Sequence, residues 1–198
     1  QLYHYGSNEY FDEHYGLTLK GKKLLKVIRD CDLYLDLSHL NDYYVNKVSE
    51  CFSGKLIMSH CVCKDIIEVK HPRTNAISKC TIIALAKKNC VFGIPFINDL
   101  VCNISHDTFE NDEIIMNDIT SQIVLFSNLV GADKVALGPD FIDTNYFSKV
   151  FGQKINIPTE LYYLYGYNSL KGKLYLLGLN KSQVKAIISE NVMGILKM

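Results

Sequence analysis

Short apolar runs recur along the 198-residue chain, separated by longer segments in which apolar side chains return every three or four positions. The short runs are typical of strands buried on both faces of a parallel sheet, and the longer pattern is typical of amphipathic helices. The runs predict strands near residues 2–5, 33–38, 56–59, 90–96 and 134–138. Strands that alternate with helices form a parallel sheet with right-handed crossovers, either a closed barrel or a doubly wound sheet.

The longer segments predict helices, and most of them begin or end at a residue suited to capping. Helices are expected at 19–30 with Thr18 as cap, between the strands at 33–38 and 56–59 with Gly54 closing it, at 76–89, at about 119–130 between Asp118 and Gly131, and at 181–196 after Asn180. Residues 97–117 form a polar excursion, and the tyrosine-rich stretch 141–170 has no clear period. Long irregular segments of compact domains are usually lids or pocket walls, so we expect 141–170 to border a functional site.

Polar residues stand where the predicted strands end. Ser38-His39 and Ser59-His60 each close an apolar run, and Asp140 follows the run at 134–138. Neighbouring parallel strands lie about 4.8 Å apart, so the two imidazoles can reach one metal ion or substrate atom. The carboxyl edge is where α/β proteins build active sites, and no Gly-rich phosphate loop follows a strand, which favours a barrel over a nucleotide-binding sheet. A lone histidine at a strand end is more often structural, so the pattern alone leaves both interpretations open.

Composition and charge narrow the class of protein. The chain is 48% hydrophobic with a formal net charge of zero, so we expect one globular domain over residues 1–198 and no nucleic-acid partner. No apolar run approaches the roughly 18 residues of a membrane helix, so no membrane segment is expected in this chain. Seven cysteines, most of them inside apolar segments, are typical of reduced thiols in a cytoplasmic protein. The first residue is Gln1 rather than Met, which leaves an upstream segment open.

Five segments of the chain carry a resemblance to a known family. They read GLTLKGKKLLKVIRDCDLYLDLSHL, LIMSH, HPRTN, VALGPDF and GLNKSQVKAIISENVMGIL. In this order and spacing, from about residue 2 to 196, the chain resembles the carboxyl-terminal portion of the membrane dipeptidase, or renal dipeptidase, family of zinc peptidases. The resemblance implies a (β/α)8 TIM-type barrel, of which this chain covers roughly the last five β/α units.

The resemblance also implies an activity and its residues. The family hydrolyses dipeptides at a binuclear zinc site, so the expected function is a zinc-dependent dipeptidase that uses a metal-activated hydroxide. His39 and His60 correspond to ligands of one zinc, and Arg73 to the residue that holds the substrate carboxylate. Asp140 corresponds to the catalytic residue that handles the proton. Asp140-Phe141-Ile142-Asp143 stands where the family usually has Asp-Phe-Asp-Gly.

The remaining ligands of the family have no counterpart in these 198 residues. They are a His-x-Asp pair on the first strand, a Glu that bridges both metals and a further His. We therefore expect a companion amino-terminal segment to supply them, and a homodimer is left open. The alternative is a catalytically inactive barrel fragment, or a binding or assembly protein, that lacks the upstream ligands. Other binuclear amidohydrolases on the same barrel are a weaker alternative.

Overall fold

A computed structural model describes residues 11–12, 16–67, 76–101, 111–152 and 155–196. The first predicted strand, at 2–5, and Arg73 lie outside these residues. The strands are β1 (Phe11–Asp12), β2 (Gly16–Leu17), β3 (Tyr34–Asp36), β4 (Lys55–Met58), β5 (Val62–Cys63), β6 (Ala76–Ile77), β7 (Val91–Ile94) and β8 (Val135–Leu137). The helices are α1 (Leu19–Asp30), α2 (Asp42–Cys51), α3 (Lys79–Ala86), α4 (Asn98–Val101), α5 (Asp112–Val130), α6 (Thr144–Phe151), α7 (Gly166–Leu176), α8 (Lys181–Lys185) and α9 (Asn191–Leu196).

The main sheet is parallel and its strands stand in the order β3-β4-β7-β8. Each strand is added on the same side of the one before it, as in a barrel, whereas a doubly wound sheet reverses its order at a switch point. The four strands confirm the predictions at 33–38, 56–59, 90–96 and 134–138. A separate two-stranded parallel pair, β5 with β6, lies in the connection between β4 and β7.

The core lies between this sheet and the helices that cover it. Its largest fully buried side chains include Leu56, Met58, Phe92 and Ile94 on the strands and Ile82, Leu85 and Phe126 on the helices. The rings of Phe92 and Phe126 are 5.5 Å apart and tie α5 to the centre of the sheet. Burial on both faces explains why the strands read as continuous apolar runs.

Several helix bounds differ from those the sequence predicts. Helix α5 begins at Asp112 rather than near Ile119, because the side chain of Asn111 accepts hydrogen bonds from the N–H groups of the first turn. The prediction of an irregular 141–170 is wrong, since α6 lies near its start behind an Asp143 cap and α7 begins at Gly166.

Two further helix ends differ from prediction, and two predicted caps are confirmed. Helix α3 is shorter than 76–89 because its first residues pair as β6 and Ser78 caps the helix. Helix α2 ends before Gly54 because Phe52 turns into an extended conformation and buries its ring. Thr18 caps α1 and Asn180 caps α8, both as predicted.

The cysteines and the helices can each be compared with what the sequence predicts. Six cysteines lie within the described residues and all are free thiols: Cys31, Cys51, Cys61, Cys63, Cys80 and Cys90. Among the same residues, no helix combines the length and the apolar character that crossing a bilayer requires.

Candidate metal centre

The turn that follows β3 presents His39 at the carboxyl edge of the sheet. The N–H of Leu40 donates to the carbonyl of Leu37 at 3.1 Å, which closes a tight turn with His39 inside it. His39 has a φ of 69°, in the left-handed region that a non-glycine residue seldom adopts. Holding such a residue costs on the order of 1–3 kcal/mol. The fully buried side chains of Leu37 and Leu40 anchor the turn on both sides and offset that cost.

His60 follows β4, the neighbour of β3, and its ring meets that of His39. The two Nε2 atoms are 3.1 Å apart, and the ring centroids lie 4.7 Å apart at an interplanar angle of 67°. His60 is buried, with 5% of its surface exposed, and His39 is half-buried. Burial, together with the neighbouring His60, lowers the pKa of His39 below its ordinary value, so the neutral imidazole is favoured.

The separation of the two nitrogens can be compared with a known coordination geometry. Two imidazole nitrogens bound to one tetrahedral zinc at about 2.05 Å lie roughly 3.3 Å apart. The observed 3.1 Å between the Nε2 atoms is close to that value. Neutral imidazoles are among the usual zinc ligands. The donor set therefore fits two ligands of one zinc ion.

Asp140 reaches the same place from the end of β8. Its Oδ2 is 3.9 Å from the Nε2 of His60, and its side chain is 35% exposed. Like His39, it has a positive φ, of 53°. The preceding Pro139 accepts a hydrogen bond from the N–H of Phe96, which fixes the loop against the end of β7. The carboxylate thus lies beside the histidine pair and faces solvent on one side.

A buried hydrogen-bond network lies behind His60. The carboxylate of Asp36, the last residue of β3, accepts from the N–H of Ser38 at 2.9 Å and of Ser59 at 3.1 Å, both at Oδ1. Its Oδ2 accepts from the Ser59 hydroxyl at 2.6 Å. The same hydroxyl oxygen is 3.1 Å from the Nδ1 of His60. The Ser38 hydroxyl accepts from the N–H of His60 and lies 3.2 Å from the Ser59 oxygen.

The network holds Asp36 in its ionised form. Burial raises the pKa of this carboxyl, but the hydrogen bonds from the Ser59 hydroxyl, the two backbone N–H groups and the Ser38 hydroxyl outweigh it. The net result is a pKa below the ordinary value for Asp, because these donors favour the charged form.

Two glycines allow the segment after β4 to approach its neighbours closely. The carbonyl oxygen of Ser59 lies against the α-carbons of Gly93 on β7 and Gly138 after β8, where a β-carbon would collide with it. The N–H of Cys61 then donates to the carbonyl of Gly93 at 2.8 Å. The glycines therefore place His60 over the end of the sheet.

Aromatic side chains lie beside Asp140. Phe141, half exposed, packs edge-on against Phe96 and lies 5.5 Å from the ring of Tyr162. Tyr167 contacts Phe96 from α7. The segment 141–170 is thus more regular than predicted, and its role as a border of the site stays a prediction.

The structure brings together three of the four predicted site residues: His39, His60 and Asp140. The fourth, Arg73, lies outside the described residues and stays a prediction. Within the described ranges no group of three or more His, Cys, Asp and Glu side chains is arranged to hold a metal ion. The pair of histidines is therefore a partial ligand set as far as the described chain extends.

Sequence reasoning missed Asp36 and the two serines. A signal for them exists, because Asp36 is a carboxylate inside an otherwise apolar run and each histidine directly follows a serine. A charged residue in a buried strand needs hydrogen-bond partners. The repeated Ser-His pair on the neighbouring strand supplies them.

Comparison with solved structures places the fold. A dipeptidase described as a metallopeptidase of family M19 superposes with a TM-score of 0.72 at 20% identity, covering 92% of this chain and 48% of the other. A second similar structure is a metallopeptidase from Rhodobacter sphaeroides, liganded with a phosphinate mimic of the dipeptide L-Ala-D-Ala. It has a TM-score of 0.72 at 20% identity, and the match covers 92% of this chain and 47% of the other. An amidohydrolase from Pseudomonas aeruginosa has a TM-score of 0.73 at 19% identity, and the match covers 92% of this chain and 57% of the other. The chain spans about half the length of the solved structures it matches, and the fold is part of a TIM barrel.

Sequence comparison identifies the family. A model of the membrane dipeptidase family, peptidase family M19, matches residues 4–198, which is nearly the whole chain. The matched range runs from the first predicted strand to α9, as the five resembling segments do. The metallopeptidases among the similar structures point to the same family. This chain belongs to the membrane dipeptidase family of metallopeptidases.

Proposed function

We propose that the protein is a zinc-dependent dipeptidase and that His39 and His60 hold one of its zinc ions. The observation that carries this proposal is the meeting of the two Nε2 atoms, 3.1 Å apart at the carboxyl edge of the sheet. Family membership supports a peptidase, and the fit of two neutral imidazoles to zinc supports the metal. When bound, zinc acts as a Lewis acid that polarises a carbonyl and makes water a nucleophile at neutral pH.

Asp140 is proposed to move the proton during hydrolysis. Its carboxylate lies 3.9 Å from the His60 Nε2 and is partly exposed, so it faces both the candidate zinc position and an incoming substrate. A carboxylate in that position can take a proton from the attacking water and give it to the departing amine.

Arg73 is proposed to bind the free carboxylate of the dipeptide. A guanidinium binds a carboxylate through two parallel hydrogen bonds, and such a clamp would restrict the enzyme to short substrates. This assignment is supported by the HPRTN segment of the sequence.

The remaining metal ligands are proposed to come from a companion amino-terminal segment. The partial ligand set of the described residues and the half-length coverage of the similar structures support this idea. The buried free thiols of Cys61 and Cys90 favour a reducing compartment, so the cytoplasm is the proposed location. An inactive fragment or an assembly protein on the same barrel is the competing function.

A metal and activity assay on the protein at its natural full length tests the proposal. We expect bound zinc, hydrolysis of dipeptides, and loss of both in His60→Ala, because truncation removes one ligand. Cys80→Ala, which removes an exposed thiol on α3, is the matched control and should leave both unchanged. Unchanged turnover in His60→Ala would refute the ligand assignment, and zinc-free, inactive wild-type protein would favour the inactive alternative.

A further inference from the structure

We propose that Asp36 is a positioning residue of the candidate metal centre, acting through the Ser59 hydroxyl to keep the Nε2 lone pair of His60 turned towards His39. The inference rests on the proposed function, in which His60 is a zinc ligand. It adds a residue that acts through Ser59 rather than as a ligand, and it depends on where the protons of the network behind His60 lie.

The hydroxyl of Ser59 has a single proton, and it donates this proton to Asp36. Its oxygen lies 2.6 Å from the Oδ2 of Asp36, and an ionised carboxylate can only accept. The low pKa of Asp36 keeps it ionised at neutral pH. Ser59 therefore donates to Asp36 and keeps only lone pairs for its other neighbours.

That assignment fixes the tautomer of His60. The Nδ1 of His60 is 3.1 Å from the Ser59 oxygen, which has no proton left to donate, so Nδ1 must carry the proton. A neutral imidazole protonated on Nδ1 has its lone pair on Nε2. Nε2 is the atom that faces the Nε2 of His39. The ring therefore presents a free lone pair to the candidate zinc position before any metal arrives.

Ser38 completes the network. Its oxygen accepts from the N–H of His60, and its own proton has two acceptors, the Ser59 oxygen at 3.2 Å and the Asp36 carboxylate. Ser38 is fully buried, so its hydroxyl needs a partner inside the protein. With either acceptor the Ser59 proton stays on Asp36, so the tautomer of His60 does not depend on which one Ser38 uses.

The substitution Asp36→Asn reverses the hydrogen bond with Ser59 and preserves the two from backbone N–H groups. Both backbone N–H groups donate to Oδ1, which the Asn carbonyl can replace, while the amide nitrogen takes the place of Oδ2. That nitrogen donates to Ser59 rather than accepting from it. The Ser59 proton then turns to the Nδ1 of His60, and the ring shifts its own proton to Nε2, where it blocks a metal.

The test uses two measurements on the protein at its natural full length. The nitrogen chemical shifts of isotope-labelled histidine, recorded without metal, report which ring nitrogen of His60 is protonated. We expect the Nδ1–H form in wild type and the Nε2–H form in Asp36→Asn. Zinc titration should then show affinity weakened about 10- to 100-fold, the usual effect of losing a partner behind a metal-bound histidine.

Two variants separate positioning from a loss of stability. Asp42→Asn removes another part-buried carboxylate, which accepts from the N–H and hydroxyl of Ser78, and it should leave the His60 tautomer and zinc affinity unchanged. Because Asp36 acts through Ser59, adding Asp36→Asn to a Ser59→Ala background should have little further effect on zinc affinity. Additive losses in that double variant would overturn the inference.

The outcomes also distinguish this inference from the proposed function. If wild type binds zinc and the His60 shifts are the same in Asp36→Asn, the positioning role is wrong while the dipeptidase proposal stands. If wild type binds no zinc, the proposed function fails, and the tautomer measurement still decides whether Asp36 sets the proton on His60.

Discussion

The two histidines of the candidate centre are held by different means. His60 is buried, and its backbone N–H and its Nδ1 both have hydroxyl partners. His39 is held by its backbone, in a left-handed conformation between two buried leucines. A rotation of either ring would separate the Nε2 atoms, so the 3.1 Å contact depends on both devices. The distance between the two Nε2 atoms is therefore set by the residues that hold the histidines, which are the serines beside His60 and the leucines beside His39.

The role of Asp140 predicts a separation of binding from turnover. Asp140→Asn keeps the shape of the side chain but removes its capacity to take a proton, so kcat should fall about 10²- to 10⁴-fold while zinc content stays at the wild-type level. Steady-state kinetics and metal analysis of the same preparation measure both quantities. Loss of zinc together with activity would show instead that Asp140 is a ligand, and unchanged kcat would remove it from the mechanism.

At the level of elements, the centre depends on how closely the end of β4 approaches β7 and β8. The Ser59 carbonyl oxygen lies where β-carbons at Gly93 and Gly138 would be, so the backbone itself forms the contact. A flexible side chain can move away from an added methyl group, but a backbone carbonyl at the end of a packed strand cannot do so without moving the strand. The position of His60, one residue further on, follows directly from this contact.

Gly93→Ala should therefore destabilise the fold and displace His60. We expect the free energy of unfolding to fall by about 3 kcal/mol, measured by chemical denaturation, with weakened zinc binding. Gly172→Ala in α7 is the matched control, because a β-carbon there meets nothing within 4 Å. That control should be stabilising by about 0.5–1 kcal/mol, since alanine favours a helix interior. A Gly93→Ala protein as stable as wild type would contradict the close-approach argument.

The parts of the structure that could be predicted are those with a local signal. Buried strands and capped helices such as α1 follow from apolar period and from a residue like Thr18. The start of α5 and the end of α2 could not be predicted, because they depend on the choice of Asn111 as cap and on burial of the Phe52 ring. The meeting of His39 and His60 was predictable, since strand ends share one edge; their role as metal ligands stays a prediction. The Asp36 network was missed, although Asp36 stands out as a carboxylate in an apolar run, because its partner Ser59 comes from a second strand.

For the whole molecule, the described part of the main sheet ends at β8 on one side. Within the described residues β8 pairs with β7 and with no other described strand, so its outer side is an edge of the sheet. Such edges are usually covered or paired in stable proteins. Leu164 and Leu176 are each 89% exposed, which adds apolar surface for a partner to cover. These features, with the half-length coverage of similar structures, agree with a barrel completed by a companion segment.

Hydrogen exchange on the isolated 198 residues tests the companion segment. The amides of β8 should exchange faster in the isolated chain than in the protein at its natural full length, because a neighbouring strand at its outer edge is missing. The inner strands β4 and β7 serve as internal controls and should change least. Size-exclusion chromatography on the same sample should show association through the exposed surface. A monomeric chain that unfolds cooperatively, with its amides equally protected from exchange in all four strands, would contradict the proposal of a companion segment.

We propose that one zinc ion lies between His39 and His60. An anomalous difference map tests this proposal, recorded at the zinc absorption edge from crystals of the protein at its natural full length. We expect a peak within about 2.1 Å of the Nε2 atoms of both histidines. A zinc-loaded protein with no peak between these two nitrogens, or with its zinc bound elsewhere, would contradict it.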